Sequence, residues 1–346
     1  MNTKAMQKVF NNTTASTQIH EAVLLIENSK GDFSRNFTYG ERTIDSPMVL
    51  ASITKMFTTA CILKLCEKGH LSLDDKISRY FNSDLLKGLH IYKGQEYSYN
   101  LTVSDLLFQI SGLPDDFEGS GKNASTKMKA IFKGDTYITF EQDIAKTKTL
   151  SPHFAPNTKN QAYYSNINFD LLGEIIEKVT QISLAEAYQQ FVFAPLKLDK
   201  TYLPVNENDF VPHVYYKMLK LARPKLISSC RASGGCVSSP KDLMTFSKGF
   251  WSGKLFDKKI FEHLSVYKKL QISKGPIHYG GGYMRISLGG FATLFMAKGE
   301  LLGHSGSTGS FAFYYPLKDL YFVGDLSQLA NPAVPIRLLM KLAIIA

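Results

Sequence analysis

The chain has 346 residues, long for one domain and comfortable for two, with 44% apolar and 20% charged residues. That balance excludes disorder over most of the length and is ordinary for a globular protein with a large core. A formal net charge of +10 favours acidic partners such as nucleic acid, anionic surfaces or carboxylate-bearing substrates, yet the lysines are dispersed, with Lys258-Lys259 and Lys268-Lys269 the densest pairs. Without a basic stripe interleaved with aromatics, a solvated basic surface is the plainer reading, and no nucleic-acid partner is expected.

Met1 to His20 is polar, and the longest early apolar run, Ala22–Ile26, is too short for a signal peptide or a membrane span. As it stands the chain reads as soluble and cytoplasmic; removal of a leader would make it extracytoplasmic. Glu21–Glu27 reads as a buried strand, Lys30-Gly31-Asp32 as a turn and Arg35–Tyr39 as a second strand, together a hairpin. From Ser52 to Lys68 the positions Ile53, Met56, Phe57, Ala60 and Leu63 follow helical spacing, with Gly69 as the left-handed cap. Cys61 and Cys66 lie in this segment, read as an amphipathic helix. With Cys230 and Cys236 they lack Cys-x-x-Cys spacing, so free thiols are expected.

Thr102–Ile110 reads as a helix capped by Thr102 and stopped at Ser111-Gly112. Asp115 to Asn160 reads as loops and short helices. Leu171, Leu172, Ile175, Ile176 and Val179 mark a helix face, and Ala187–Phe193 a further helix. After about Pro212 comes a helix, Lys241–Phe250, then Tyr283–Leu288, Phe291–Ala297, Phe311–Tyr315 and Leu320–Val323 as antiparallel strands, and Ala333–Ile345 as a closing helix. The fold class expected is α/β in the α+β sense. Residues 1–75 and 216–346 form an antiparallel sheet flanked by helices, and residues 76–215 form an inserted, mainly helical domain.

Three Ser-x-x-Lys pairs occur: Ser52–Lys55, Ser238–Lys241 and Ser265–Lys268. Only Ser52 opens a strongly apolar helix, near a positive dipole end, with Lys55 one turn on and on the same side. A buried amine there can lose its proton and accept that of the hydroxyl. Ser238 precedes Pro240 and reads as part of a helix cap, and Ser265 lies in a lysine-rich surface stretch. Alone, Ser52–Lys55 is as well explained by a cap and a solvated lysine, Tyr164 by an aromatic anchor before a helix, and His304 by a strand-end histidine.

Together with Tyr164-Ser165-Asn166 and Gly303-His304-Ser305-Gly306-Ser307, the pattern Ser-x-x-Lys, Tyr-x-Asn, His-x-Gly resembles the serine β-lactamase and penicillin-binding-protein superfamily, in particular its class C β-lactamase-like branch. Leu171-Leu-Gly-Glu, Phe193-Ala-Pro-Leu and Ala232-Ser-Gly-Gly-Cys-Val-Ser-Ser look like further landmarks, and the resemblance runs from about residue 20 onward. It implies Ser52 as nucleophile, Lys55 and Tyr164 sharing its proton, and Asn166 holding Lys55 and the substrate amide. It further implies an oxyanion hole from the Ser52 and Ser307 backbone amides, with His304, Ser305, Gly306 and Ser307 contacting substrate.

His304 stands where many members carry lysine, and a histidine is only partly charged near neutral pH. That implies weaker or pH-dependent carboxylate recognition, and an esterase or peptidase in preference to an efficient β-lactamase. Gln109-Ile110-Ser111-Gly112 departs from the commoner His-Thr-Ser-Gly at a position read as structural. No cofactor or metal is implied, since the histidines are scattered. The expected substrates are esters, amides or peptides, including D-amino-acid peptides and β-lactams. The competing expectation is a catalytically degenerate relative that binds peptide or cell-wall fragments without turnover.

Overall fold

The computed structural model describes residues 2–117, 127–158, 160–206, 208–293 and 295–346. The expected hairpin forms: β1 (Ala22–Asn28) runs antiparallel to β2 (Ser34–Tyr39), with Leu24 opposite Phe37. The later strands are β3 (Lys268–Lys269), β4 (Ile277–Tyr279), β5 (Met284–Ser287), β6 (Glu300–Ser305), β7 (Ser310–Tyr315) and β8 (Leu320–Asp325). They join the hairpin in one eight-stranded sheet, order β2-β1-β8-β7-β6-β5-β4-β3, with every neighbouring pair antiparallel. Val23 lies opposite Asp325, so an early strand and the last strand pair side by side within the sheet.

Five helices frame it: α1 (Thr3–Thr14), α2 (Thr54–Glu67), α3 (Asn166–Thr180), α4 (Pro240–Ser252) and α5 (Ala333–Ile345). Phe10 of α1 stacks near Phe37, whose strand partner is Leu24, whereas Lys248 of α4 pairs with Glu27, one pleat out of phase with Leu24. Side chains alternate across a strand, so α1 and α4 cover opposite faces. Helix α5 packs beside α1, and α2 lies beyond α4, joined to it by Phe57 and Phe246 at 4.0 Å between ring centroids.

The sequence reading meets three corrections here. Helix α1 falls in the stretch read only as polar; Met6 and Phe10, spaced i and i+4, are fully buried and supply one narrow apolar stripe. Helix α2 is not amphipathic: eleven of its fourteen residues are buried, as fits a helix enclosed on all sides. Its threonines make that possible. Thr59 donates to the Lys55 carbonyl at 2.8 Å and Thr58 to the Ala232 carbonyl at 2.8 Å, so neither of these two buried hydroxyls lacks a partner.

Third, the described residues of Phe291–Ala297 form no strand. Gly290–Thr293 forms a 3-10 turn, Thr293 donates back to the Leu288 carbonyl, and Phe295 adopts a left-handed φ of 62°. A local side-chain bond here outcompetes the ladder; the strand lies further on, at β6. The helix at Val103–Leu107 is shorter than read, though its capping box of Thr102 and Asp105 is present. Part of the loop expected between Asp115 and Asn160 lies outside the described residues. The four cysteines are free.

Candidate active site

Ser52 sits in a 3-10 turn, Ala51–Ile53, that runs straight into α2. The residue before it, Ala51, has a φ of 45°, a conformation that non-glycine residues adopt rarely and that concentrates at functional sites. The strand-to-helix bend aims the Ser52 hydroxyl into a cleft of about 630 Å³ also lined by Tyr164, Asn166, Ser305, Gly306 and Ser307. That volume is typical of small-molecule sites.

Lys55, one turn along α2, is fully buried. Its Nζ lies 3.3 Å from Ser52 Oγ, 2.7 Å from Asn166 Oδ1 and 2.6 Å from the Ser233 carbonyl oxygen. Burial pulls its pKa down to about 7, against the opposing pull of the Asp170 and Asp115 carboxylates. A neutral amine has two N–H bonds and one lone pair. The two shorter contacts are to acceptors and take the N–H bonds, so the lone pair is left to Ser52.

Asn166 opens α3. Its backbone N–H and its Nδ2 both donate to Asp115 Oδ1 at 3.0 Å, a carboxylate placed at a helix N-terminus where the dipole favours it. Asp115 thereby fixes the Asn166 amide with its oxygen toward Lys55. The segment before α3 is tied down by Gln109, whose Oε1 accepts from the Ser165 N–H at 2.9 Å and Asn168 Nδ2 at 2.5 Å. Gln109 at the departing motif position is thus an internal clamp, fully buried. The turn carrying Ser233 reaches Lys55 because α3 has Gly173 where it crosses; a Cβ there would stand 2.6 Å from Ala232 Cβ. Arg231 adds ion pairs to Glu174 at 2.6 Å and Glu177 at 2.7 Å.

Tyr164 presents its ring 5.0 Å from Lys55 Nζ. On the opposite wall, the turn after β6 is held to the Ser52 segment by two bonds: Thr308 to the Val49 carbonyl at 2.9 Å and Ser310 to the Leu50 carbonyl at 2.8 Å. Gly306 allows this approach, since a Cβ there would meet Ser310 Oγ at 2.2 Å and Leu50 O at 2.4 Å. Ser305, Gly306 and Ser307 consequently face Ser52 across the cleft.

His304 is the exception. It is on β6 as the pattern implies, but fully buried, and it is not among the residues lining the cleft. Its ring lies behind Tyr164, 6.0 Å between centroids; Nδ1 donates to the Ser305 carbonyl at 2.9 Å and Nε2 stands 3.5 Å from the Tyr279 hydroxyl. Burial, reinforced by Lys55, lowers its pKa to about 3. The expectation of a partly charged histidine that meets substrate is corrected: His304 is a neutral support for the Tyr164 ring.

Sequence reasoning missed four contributors. The Ser233 carbonyl is backbone and leaves no residue signature, although the Ala232–Ser239 landmark contains it. Asp115 follows Pro114 in a loop, and Gln109 was seen only as a departure. The fourth is Lys274, whose Nζ lies 5.0 Å from the Tyr164 ring on the cleft wall; it comes from a short turn with no motif.

The Beta-lactamase family model matches residues 22–337, and the chain belongs to that family. It is 30% identical to penicillin-binding protein 4* of Bacillus subtilis (strain 168) over 327 residues, covering 88% of this chain and 66% of the relative. It is also 30% identical over 197 residues to protein flp of Staphylococcus aureus (strain MRSA252), covering 54% of this chain and 35% of that protein. The chain thus spans about one third to two thirds of these curated relatives. Among solved structures, a D-stereospecific amidohydrolase from Streptomyces sp. superposes with a TM-score of 0.79 at 23% identity, over 97% of this chain and 98% of that one. The α+β fold with its antiparallel sheet, expected from the sequence, is the fold of these relatives. Among the described residues no helix is long and apolar enough to cross a membrane.

Proposed function

We propose that this chain is a serine hydrolase that works through an acyl-enzyme on Ser52. The observation that carries this is the dry Lys55 amine, anchored by two acceptors with its remaining valence toward a hydroxyl 3.3 Å away in the wall of a cleft. In acylation Lys55 takes the Ser52 proton as Oγ bonds the substrate carbonyl carbon. The resulting oxyanion is stabilised by the Ser52 and Ser307 backbone amides, and collapse expels the leaving group with a proton relayed through Tyr164 or Lys55. Water then repeats the sequence to release the acid.

The substrate classes are esters, amides and peptides. The name of penicillin-binding protein 4* supports β-lactams as slow substrates or acylating inhibitors, and the name of the amidohydrolase supports amides of D-configured residues. Residues 76–215 act in this reading as an inserted helical domain that supplies Tyr164 and Asn166 to the sheet domain's Ser52 and Lys55. Exposure to a fluorophosphonate and a fluorescent penicillin, read by intact-mass spectrometry, tests the proposal. Wild type should gain one adduct and Ser52→Ala none. No adduct together with no ester hydrolysis would replace it with the reading of a binding protein that has lost turnover.

A further inference from the structure

A short hairpin stands at the rim of the cleft, with Val214–Tyr216 paired to Leu219–Leu221 and the turn made by Lys217 and Met218. Cross-strand partners share a face, so Val214 with Leu221 and Tyr216 with Leu219 make one apolar face two pairs long. The first pair is buried in a small core with Val49, Ile131 and Leu226. Beyond it, Leu219 is 58% exposed and Met218, at the turn, 69% exposed. The apolar face therefore outruns the core beneath it. Tyr216 leads from this face to the cleft, which it helps to line. Phe132 extends the face sideways, its ring 4.5 Å from that of Tyr216 and 42% exposed.

Backbone bonds hold the tip in this exposed position. Tyr215 donates its N–H to the Ser327 carbonyl at 3.2 Å and accepts that of Leu329 at 2.8 Å. The Lys217 N–H donates to Gln328 Oε1 at 2.8 Å, and the Lys217 carbonyl accepts from His20 Nε2 at 2.8 Å. Cations flank the tip. Lys217 and Lys220 bracket Met218 and Leu219 in the chain, and Lys133 follows Phe132. All three are exposed and, among the described residues, none of them is in an ion pair. The next carboxylate after Lys133, that of Asp135, is engaged elsewhere: it accepts the backbone N–H groups of Lys225 at 3.1 Å and Leu226 at 3.0 Å.

We propose that this hairpin docks the protein on an anionic lipid surface. Met218 and Leu219 enter the boundary between headgroups and acyl chains, while Lys133, Lys217 and Lys220 meet lipid phosphates. Two apolar side chains bracketed by ammonium groups match the layering of such an interface, apolar within and anionic at its face. Lysine suits that depth, because its stem lies against apolar groups while its charge reaches the phosphate level. A soluble polyanion would answer the cations and leave Met218 and Leu219 in water, whereas a lipid surface satisfies both. Tyr216 borders the patch and the cleft alike, so docking brings the cleft to the lipid. The proposal concerns binding, makes no use of Ser52 and stands apart from the hydrolase reading.

Vesicle flotation of the whole chain tests it. Wild type, and equally Ser52→Ala, should bind vesicles of phosphatidylglycerol in phosphatidylcholine about tenfold or more tighter than vesicles of phosphatidylcholine alone. Lys217→Glu with Lys220→Glu should weaken that binding about twentyfold or more, since one basic residue at an anionic surface is worth about fivefold. Met218→Ser with Leu219→Ser should weaken it about tenfold. Lys258→Glu with Lys259→Glu makes the same change of net charge in the exposed 3-10 turn Lys258–Ile260 and should cost no more than about threefold. Met218→Trp should add fluorescence that brominated lipids quench, which wild type, with Trp251 as its one tryptophan inside an aromatic cluster, should not show. Failure to bind, equal binding to neutral vesicles, binding unmoved by the hairpin variants, or an equal loss on changing Lys258 and Lys259 would overturn the proposal. So would equally tight binding to soluble polyglutamate, which points to an acidic protein, or a dimer lost with the same hairpin variants, which points to a second copy. Absence of ester cleavage with vesicle binding intact would sink only the hydrolase reading.

Discussion

The pH dependence of Ser52 acylation tests the site most directly, because it reads the protonation state of a buried amine. With a midpoint near 7, Lys55 is half neutral at neutral pH, whereas a solvated lysine near 10.4 would be neutral in about one molecule in 2500. The dry environment therefore raises the supply of free base by about a thousandfold. Below the midpoint the neutral fraction falls tenfold per pH unit, so single-turnover acylation by an activated ester should drop about fiftyfold between pH 7 and pH 5. Above about pH 8 it should level off. Asp170 is the leading opposing influence, favouring the ammonium form, so Asp170→Asn should move the acid limb to lower pH. Rapid-quench sampling with intact-mass readout gives the rate at each pH. A rate flat from pH 5 to 8, or still climbing tenfold per unit at pH 9, would refute the assignment of Lys55 as base.

Three further outcomes follow from the same geometry. Lys55→Met should abolish labelling of Ser52. Because the folded pKa lies below the unfolded one, wild type gains stability relative to this variant as pH rises from about 7 toward 10, by up to about 1.4 kcal/mol per unit; parallel denaturation midpoints over that range would contradict it. For His304 the lowered folded pKa means stability present above the unfolded value near 6.5 and lost as pH falls from there toward 3. Urea unfolding of wild type against His304→Phe should diverge only on that acid side, and divergence above pH 7 would count against the neutral histidine. Gly306→Ala should cut acylation about a hundredfold, the scale of an ångström-sized displacement at a reacting centre, because the new Cβ collides with Leu50 and Ser310; wild-type labelling rates would show that the turn has room.

What the sequence made legible was whatever leaves a local pattern. The hairpin of β1 and β2, α3 with its apolar face, α4 and the closing helix α5 follow from periodicity and caps, and α5 begins and ends where the pattern does. Ser52, Lys55, Tyr164 and Asn166 were legible only in combination, since each alone has an ordinary structural explanation. What escaped notice was set by tertiary partners. Burial of α2 on all sides depends on threonines bonding to backbone carbonyls of their own helix and of the Ala232 turn, which composition does not display. The neutral state of His304 depends on the rings of Tyr164 and Tyr279 closing over it. Lys274 is one of forty basic residues and is distinguished only by a turn that Gln271 pins to Tyr164. The run at Phe291 misled because apolar content cannot tell a strand from a turn that satisfies its own backbone.

The pairing of Val23 with Asp325 bears on how the molecule comes into being. The central partner of β1 is β8, made some three hundred residues later by the ribosome, and β6, which bears Ser305, is nearly as late. Contacts so distant along the chain make folding slow, because loop closure precedes the reward of pairing. During synthesis the Ser52 helix emerges long before the wall it will face, so a nascent or truncated polypeptide carries Ser52 and Lys55 without the β6 turn that faces them in the finished fold. An unpaired β1 in that interval is the segment most exposed to capture by chaperones or to aggregation.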